Sequence, residues 1–362
     1  MTLTRIARNL GISVTTVSRA LGGYEDVAAA TRQRVAAEAR RIDYRPNQIA
    51  RRLRGGRSGA VGVVLPSVPG HFDDPFFLRL LAATGPRLAE VGMDLLVTAS
   101  PHSAPDELRA YRHLAEERRV DGILFARTRV HDERAAYLIE AGIPFVSHGR
   151  TGLAQAHAFV DIDGEAACRD ATGRLIGFGH ERIGLINASE TYMFAHHRRA
   201  GWHAALRTAG LAGGPVAHVE PTEENGFLTA KAMIEAEAPP TALLCATDRL
   251  AVGALHAAKA AGLRVGEDIS IIGYDNLPLA TYTDPPLTTI EQSIARAARR
   301  MVEMLLALIG GADPAVLREI WPARLIPRSS DGPAPASRTA ETRGMPQNHG
   351  GGNHVPDRET RP

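Results

Sequence analysis

Cysteine is nearly absent from this chain. Two thiols, Cys168 and Cys245, serve 362 residues. Both sit in apolar stretches of helical or strand character, which excludes a disulfide framework and predicts two buried free thiols in a reducing compartment. Long apolar runs are missing too. No stretch approaches the roughly 20 apolar residues of a membrane span, and the amino terminus carries Arg5 and Arg8 without the apolar segment of a signal peptide. A cytoplasmic chain with no membrane partner is therefore expected. Catalytic patterns are equally scarce: there is no Gly-x-Ser-x-Gly elbow, no His-Glu-x-x-His and no paired-cysteine zinc pattern. Gly55-Gly-Arg-Ser-Gly59 lacks the lysine and the preceding strand of a phosphate loop. His196 and His197, adjacent on a predicted helix, point apart, and His349 and His354 are too sparse for a metal site. Neither an enzyme nor a holder of a metal or other cofactor is expected.

What is present is unevenly charged. The whole chain carries a net +2, but twelve arginines stand against four acids up to Ser58, a local +8 that leaves −6 for the remainder. A basic head on an acidic body points to a polyanion partner for the head alone. Within that head, Ile6, Ala7 and Leu10 recur at helical spacing, Gly11 supplies a turn, and Ser13 is placed to cap a second helix that turns Val17, Ala20 and Leu21 inward. This is a helix-turn-helix pattern. The second helix presents Val14, Thr15, Thr16, Ser18 and Arg19 outward. Arginine pairs two-handed with guanine, and the methyls of valine and threonine suit the thymine methyl. Taken alone, the same pattern serves an amphipathic hairpin with a solvated face.

The run from Leu3 through Leu21, followed by Thr31-Arg-Gln-Arg-Val35, Tyr44-Arg-Pro-Asn47 and Ala50-Arg-Arg-Leu53, resembles the DNA-binding headpiece of the LacI/GalR family of bacterial transcriptional regulators. The resemblance implies DNA contacts from Thr4, Ser13, Val14, Thr15, Thr16, Ser18, Arg19, Asn47, Ala50 and Leu53. It also implies a hinge helix around residues 48–54 that orders against DNA and drives Leu53 between base pairs. The family usually places a serine where this chain has Ala28, so the third helix, Thr31 to Ile42, is expected to start without its side-chain cap.

From Ala60 onward the pattern alternates strands and helices. Strands are predicted at 60–65, 94–99, 122–126, 145–147, 183–187, 216–220, 242–246 and 269–273. Helices are predicted at 76–91, 105–117, 132–141, 195–209, 226–236, 248–261 and 294–309. Such alternation means doubly wound parallel sheets, and the number of strands asks for two, with a cleft between lobes. The resemblance extends to about residue 330 and implies a body like that of periplasmic sugar-binding proteins. The expected organisation is an all-α helix-turn-helix headpiece over 1–46, a hinge and linker over 47–59, an α/β bilobed effector and dimerisation domain over 60–330, and a disordered tail over 331–362. No leucine heptad ends the chain, so a homodimer is expected.

Carried over from the family, Arg198 in Arg198-Arg-Ala-Gly-Trp202 and Asp275 in Ile-Gly-Tyr-Asp275 would hold the effector. Phe76, Phe77, His148, Asp163 and Thr247 match further lining positions. A carboxylate that accepts from vicinal hydroxyls, an arginine fork and aromatic faces suit a sugar. The same residues also serve plainer ends: Asp275 as a turn cap, Arg198 as an ion pair on a helix, the phenylalanines as core. Two departures bear on the ligand. Pro221 stands where relatives place an aromatic, and Thr247 where several place asparagine. His148-Gly149-Arg150 resembles a subgroup that regulates α-glucoside use in proteobacteria. The function implied is a dimeric repressor released from a palindromic double-stranded DNA operator by a sugar. A corepressor-type regulator with a purine or phosphorylated-sugar ligand is the alternative, and a sugar-binding or sugar-processing protein without DNA function is the more distant one.

Overall fold

The computed structural model describes residues 3–22, 24, 26–44, 57–66, 74–100 and 104–335. The apolar period of the head folds into three helices, α1 (Leu3–Leu10), α2 (Val14–Leu21) and α3 (Ala29–Arg41), which bury Ile6, Val17 and Val35 completely between them. Gly11 takes the positive φ of +65° that the turn demands. Glu38 ties α3 to α1: it accepts from Asn9 at 2.6 Å and from Arg41 at 2.7 Å. The Arg41 hydrogen bond, then that of Asn9, holds its carboxyl down to about 2.

The start of α3 is bare, as its sequence predicts. Ala28 occupies the N-cap with φ −52° and ψ 139° and offers no side-chain acceptor to the first turn. Its backbone is already extended as a cap requires, so Ala28→Ser is expected to stabilise the head by about 1 kcal/mol. Thermal melting of the isolated variant chain against its parent checks this, with the head followed separately from the body. An unchanged head transition would show that water already satisfies those amides.

Beyond the head, short buried strands alternate with helices. In chain order these are β1 (Ala60–Pro66), α4 (Pro75–Glu90), β2 (Asp94–Ser100), α5 (Ala104–Glu116), β3 (Gly122–Phe125), α6 (Glu133–Glu140), β4 (Phe145–His148), β5 (Ala158–Ile162), α7 (Gly164–Gly177), β6 (Ile183–Asn187), α8 (Met193–Thr208), β7 (Val216–His218), α9 (Glu223–Ile234), β8 (Ala242–Cys245), α10 (Asp248–Ala260), β9 (Ser270–Tyr274), β10 (Thr288–Glu291), α11 (Ile294–Ile309), β11 (Arg318–Trp321) and β12 (Arg324–Ile326). They form the two expected sheets. One is wholly parallel with the order β11-β5-β4-β3-β1-β2. The other has the order β12-β10-β9-β8-β6-β7 and is parallel except for β12 against β10.

The lobes are not consecutive pieces of chain. The chain leaves the first sheet at Asp163, returns at Gln292 and Ser293 to lay α11 against it, adds β11, and leaves again at Pro322 and Ala323 for β12. Ile294, Ala298, Met301, Val302 and Leu305 of α11 are buried in the same core as Val61, Leu80 and Leu124 of the first lobe. At the back of the second lobe, α9 and α10 cross with backbone against backbone at Gly226 and Gly253.

β5, α7 and the three late strands β10, β11 and β12 occupy stretches where periodicity predicts no element. β5 carries Asp161 inside it, and α7 contains three glycines and is apolar on more than one side because both its neighbours bury it. The body also runs past 330. Asp331 is buried between Thr288 Oγ1 and Arg174 Nε, each donating at 2.5 Å, and Ala334 N donates to Phe178 O at 2.8 Å. Composition predicts a tail from 331, but one buried carboxylate and a backbone bond hold the first residues of that segment. Residues 336–362 lie outside the described residues. Cys168 and Cys245 are buried and free, and burial pushes the Cys168 thiol up to about 12. Among the described residues no helix is long and apolar enough to cross a membrane.

Candidate functional site

Two surfaces have built chemistry. On the head, Ser13 caps α2 by accepting from Thr16 N at 2.9 Å, and the two side-chain oxygens lie 2.8 Å apart. Those hydroxyls therefore shape the helix start. Val14 is 41 % exposed, and Thr4, Thr15 and Arg19 are exposed beside it. Arg19 pairs with Asp26, and its guanidinium carbon lies 5.1 Å from the centroid of Tyr24, so this cation leaves a local ion pair when it reaches for another acceptor. Ser18 is half-buried. Asn47, Ala50 and Leu53 lie outside the described residues.

The second surface is a cleft of about 730 Å³ between the lobes. Strand ends β4, β5 and β9 and the first turns of α4, α8 and α10 converge on it, the place where doubly wound sheets bind ligands. Asp275 follows β9 directly. It is 6 % exposed with φ +119°, a backbone that L-residues rarely adopt, and so its carboxylate is aimed into the cleft at a conformational cost. Gln292 donates to it, and burial pushes its pKa up to about 7 against the favourable charge of Arg198.

Arg198, on α8, is buried between two rings. Its guanidinium carbon is 3.5 Å from the centroid of Tyr274 and 4.6 Å from that of Phe194, and one nitrogen donates to Ala246 O. Phe194 also lines the cleft, so an aromatic ring is present there although Pro221, also in the wall, is not one, and that ring is stacked on Tyr192, centroids 5.5 Å apart.

On the opposite lobe, His148 ends β4 edge-on to Phe76, ring centroids 5.3 Å apart. Burial, aided by the charge of Arg198, lowers its pKa to about 4, and the neutral ring keeps Nε2 buried with no hydrogen-bond partner. Arg127, in the cleft wall, gives one nitrogen to Asp74 and leaves Nη1 buried without a partner. Buried polar atoms are seldom left unpaired, and two that share one cavity fit ligand oxygens. Arg150 Nε stands 2.8 Å from Asp161 Oδ2 and 3.0 Å from His197 Nε2. The loop carrying Arg127 is held by a buried ion cluster in which Arg134 donates to Glu107 at 2.8 Å, to Asp132 at 2.7 Å and to Arg127 O at 3.0 Å.

Of the residues expected in this site, Phe76, His148, Arg198, Thr247 and Asp275 meet in the cleft. Thr247 additionally caps α10 by accepting from Leu250 N at 3.3 Å. Phe77, one residue along the helix from Phe76, turns into the first lobe's core under Arg127. Asp163 caps α7, accepting from Ala166 N at 2.9 Å, while the carboxylate of this segment that lines the cleft is Asp161, two residues earlier in β5. Asp74, Arg127, Tyr274 and Gln292 were not singled out as cleft residues in the sequence. Tyr274 lies inside the Ile-Gly-Tyr-Asp275 motif and Asp74 two residues before Phe76, whereas nothing in the chain marks Arg127. Among the described residues no cluster of histidine, cysteine and carboxylates is arranged to hold a metal ion.

The lobes touch across the cleft's edge. Met193 N donates to Thr128 O at 2.9 Å and Val130 N to Thr191 O at 3.1 Å, a short antiparallel bridge between the strand-end loops. Arg79 of α4 reaches across to Asn276 O at 3.2 Å, beside Asp275. At the linker end, Gly59 N donates to Asp121 at 2.7 Å and Arg57 Nη2 to Ile309 O at 3.0 Å.

Residues 2–47 match bacterial regulatory proteins of the lacI family, and residues 172–330 match a periplasmic binding protein-like domain. The chain is similar to the HTH-type transcriptional regulator RafR of Escherichia coli, 37 % identical over 91 % of this chain and 98 % of that one. Its fold is similar to the lac repressor dimer bound to operator and the anti-inducer ONPF (TM-score 0.79, 28 % identity, 92 % of this chain and 99 % of that one). It is similar also to the transcriptional regulator CelR in complex with cellobiose (TM-score 0.70, 29 % identity, 91 % and 99 %).

Proposed function

The chain belongs to the lacI family of bacterial regulatory proteins, DNA-binding transcriptional regulators that respond to small molecules, and from that membership we propose a repressor of carbohydrate-utilisation genes released from a palindromic operator by a sugar. One observation carries the proposal. A head with Val14, Thr15 and Arg19 on its outer face shares a chain with a cleft in which a carboxylate, an arginine, a neutral imidazole and aromatic faces converge. A carboxylate takes two vicinal hydroxyls, His148 Nε2 and Arg127 Nη1 take single oxygens, and the Phe76 ring packs on the C–H face of a sugar. The loop His148-Gly149-Arg150 favours the α-glucoside subgroup, and its first and last residues both line the cleft.

Two copies would place two heads on the half-sites, with Leu53 of each wedged at the centre. Exposed Leu78 on α4, Val91 just after it and Val97 on the edge strand β2 supply apolar surface for the second copy. Effector pulls on both walls of the cleft and so on the contacts beside it, Arg79 to Asn276 and the bridge at Thr128 and Met193. Because Arg57 and Gly59 are fixed to the first lobe, a rotation of that lobe moves the linker with it. The paired hinge helices separate and operator affinity falls, with a coupling of about 1–3 kcal/mol and the reciprocal loss of effector affinity on DNA. Fluorescence anisotropy on DNA from the chain's own upstream region, repeated with mono- and disaccharides that include α-glucosides, tests this. Release by one sugar is expected. Tight binding that only a purine or a sugar phosphate alters would establish the corepressor-type alternative, and no specific binding would overturn the repressor.

Asp275 also sets a pH dependence. Its pKa of about 7 means that half the carboxyls are protonated near neutrality, while ligand hydroxyls favour the ionised form. Binding therefore releases a proton. Affinity is expected to rise about tenfold per pH unit below 7 and to level off above it. His148, at about 4, stays neutral throughout that window. Titration calorimetry between pH 5.5 and 8.5 reads this, and a flat profile would remove Asp275 from contact with the ligand.

A further inference from the structure

The charges in the cleft wall are matched. Four arginines line it, Arg127, Arg150, Arg198 and Arg249. Arg127 is paired with Asp74, Arg150 with Asp161 at 2.8 Å and Arg249 with Glu223 at 2.6 Å. Arg198, held between the Tyr274 and Phe194 rings, favours the ionised form of Asp275 by its charge. His148 is neutral, and burial, then the charge of Arg150, lowers the pKa of His197 as well. Among the described residues the wall therefore offers no cation that lacks a carboxylate of its own. A phosphate group brought there gives up its hydration and meets a carboxylate beside every arginine, whereas a hydroxyl brings no charge to desolvate.

Within this wall Asp161 has an acceptor to spare. It is 8 % exposed near the end of β5, and Ile162 N donates to its Oδ1 at 2.8 Å. Its Oδ2 is buried without a hydrogen bond. Arg150 Nε lies 2.8 Å from that oxygen yet directs its N–H to His197 Nε2, on the other lobe, at 3.0 Å. Oδ2 thus has a compensating charge beside it and lone pairs left over. Buried acceptors are seldom left so, and the group that suits this one is an uncharged donor such as a ligand hydroxyl.

We propose that Asp161 sets the charge class of the effector: its Oδ2 accepts a ligand hydroxyl and its charge offsets Arg150, so that the cleft takes an uncharged sugar and rejects the phosphate ester of that sugar. This rests on the sugar-binding role of the cleft. Asp161→Asn keeps the size of the side chain and the Oδ1 acceptor for Ile162 N, replaces Oδ2 by an amide donor, and leaves Arg150 without its carboxylate. Asp161→Ser, which also removes the charge, stands in if the asparagine variant melts low. Asp170→Asn removes an exposed charge on α7 outside the cleft and is the control. The full-length parent and variants are titrated calorimetrically with glucose, galactose, maltose, melibiose and trehalose, each beside a monophosphate ester of the same sugar, after thermal melting has checked every fold.

For the sugar that binds, the parent is expected to prefer it over its ester by about a hundredfold or more. Asp161→Asn should lose about tenfold for the sugar and gain about tenfold for the ester, a hydrogen bond removed and a cation released, while Asp170→Asn leaves the preference as it was. An ester that binds the parent as tightly as its sugar, or more tightly, overturns the proposal without any variant. A preference that Asp161→Asn leaves intact, or affinities for sugar and ester that fall together, overturns the role of Asp161, and the sugar-binding cleft stands. If neither sugars nor esters bind the parent, the cleft's assignment falls and the proposal with it.

Discussion

Asp275→Ala leaves operator binding intact and makes it indifferent to the effector. The carboxylate can accept from two hydroxyls at once, whereas Asp74 and Asp161, the other carboxylates in the cleft wall, are paired with Arg127 and Arg150, and each hydrogen bond to a charged group is worth roughly 1.5–3 kcal/mol. Losing two of them lowers effector affinity by at least about a hundredfold. The loss of the acceptor for Gln292 is set against the relief of a buried charge. Asp275 N still donates to Ile290 O at 2.8 Å, and the carboxylate it removes is a buried one whose ionisation the surroundings already oppose. Melting temperature should therefore change little. The head, whose own core is built from Ile6, Val17 and Val35, is untouched. Anisotropy on operator DNA with and without the inducing sugar, paired with calorimetry, reads both halves of the expectation. A normal ligand titration on this variant would sink the assignment of the cleft.

Gly253→Ala is a small change that the fold cannot absorb. In an exposed helix interior the same substitution stabilises by about 1 kcal/mol, because alanine is the better helix former. At Gly253 of α10 the added methyl would land on Glu223 O and Phe227 N of α9, and on the backbone of Gly226 behind them, closer than real Cβ atoms approach. Backbone atoms inside a helix cannot swing aside as a side chain can, so the helices must separate. Overpacking of this kind costs about 3 kcal/mol or more, equivalent to a fall in melting temperature of roughly 6–12 °C for a body of this size. Gly173→Ala in α7, where the methyl meets nothing within 4 Å, gives the contrast and should be neutral or stabilising. If both variants melt alike, the helices are not locked at their crossing.

The head was legible because every signal in it is local. Apolar period, turn glycine and capping serine lie within twenty residues, and Ala28 announces its missing cap by its identity alone. The strands β1, β3, β6 and β8 were legible for a related reason, since a parallel strand covered on both faces is a short apolar run. The elements that escaped, β5, α7 and the late strands, are short or apolar on several sides, and the partners that define them lie far off in sequence. The cleft divides in the same way. Arg198 and Asp275 stand in motifs, whereas Asp161 hides in a strand with no visible pattern and Arg127 owes its place to a left-handed backbone, φ +52°, and to Arg134 beneath it. Phe76 and Phe77 show the limit plainly. Adjacent helical residues diverge by about 100°, so one faces the ligand space and the other the core, and neither name nor position in the sequence says which.

The threefold passage between lobes also sets a schedule for making the protein. When the ribosome has released β1 to β5, the first sheet still lacks its edge strand β11 and the helix α11 that supplies much of its core, and both emerge only after the whole second lobe up to β10. At synthesis rates of about 5–20 residues per second, the nascent first lobe waits roughly 7–30 s with the apolar face around Val61, Leu80 and Leu124 uncovered. The second lobe, meanwhile, can assemble β6 to β10 as it appears. Biogenesis therefore runs against chain order over most of the body, the later lobe gathering every strand but its edge strand β12 before the early lobe can close, and the early lobe is the stretch of nascent chain for which a chaperone has most to do.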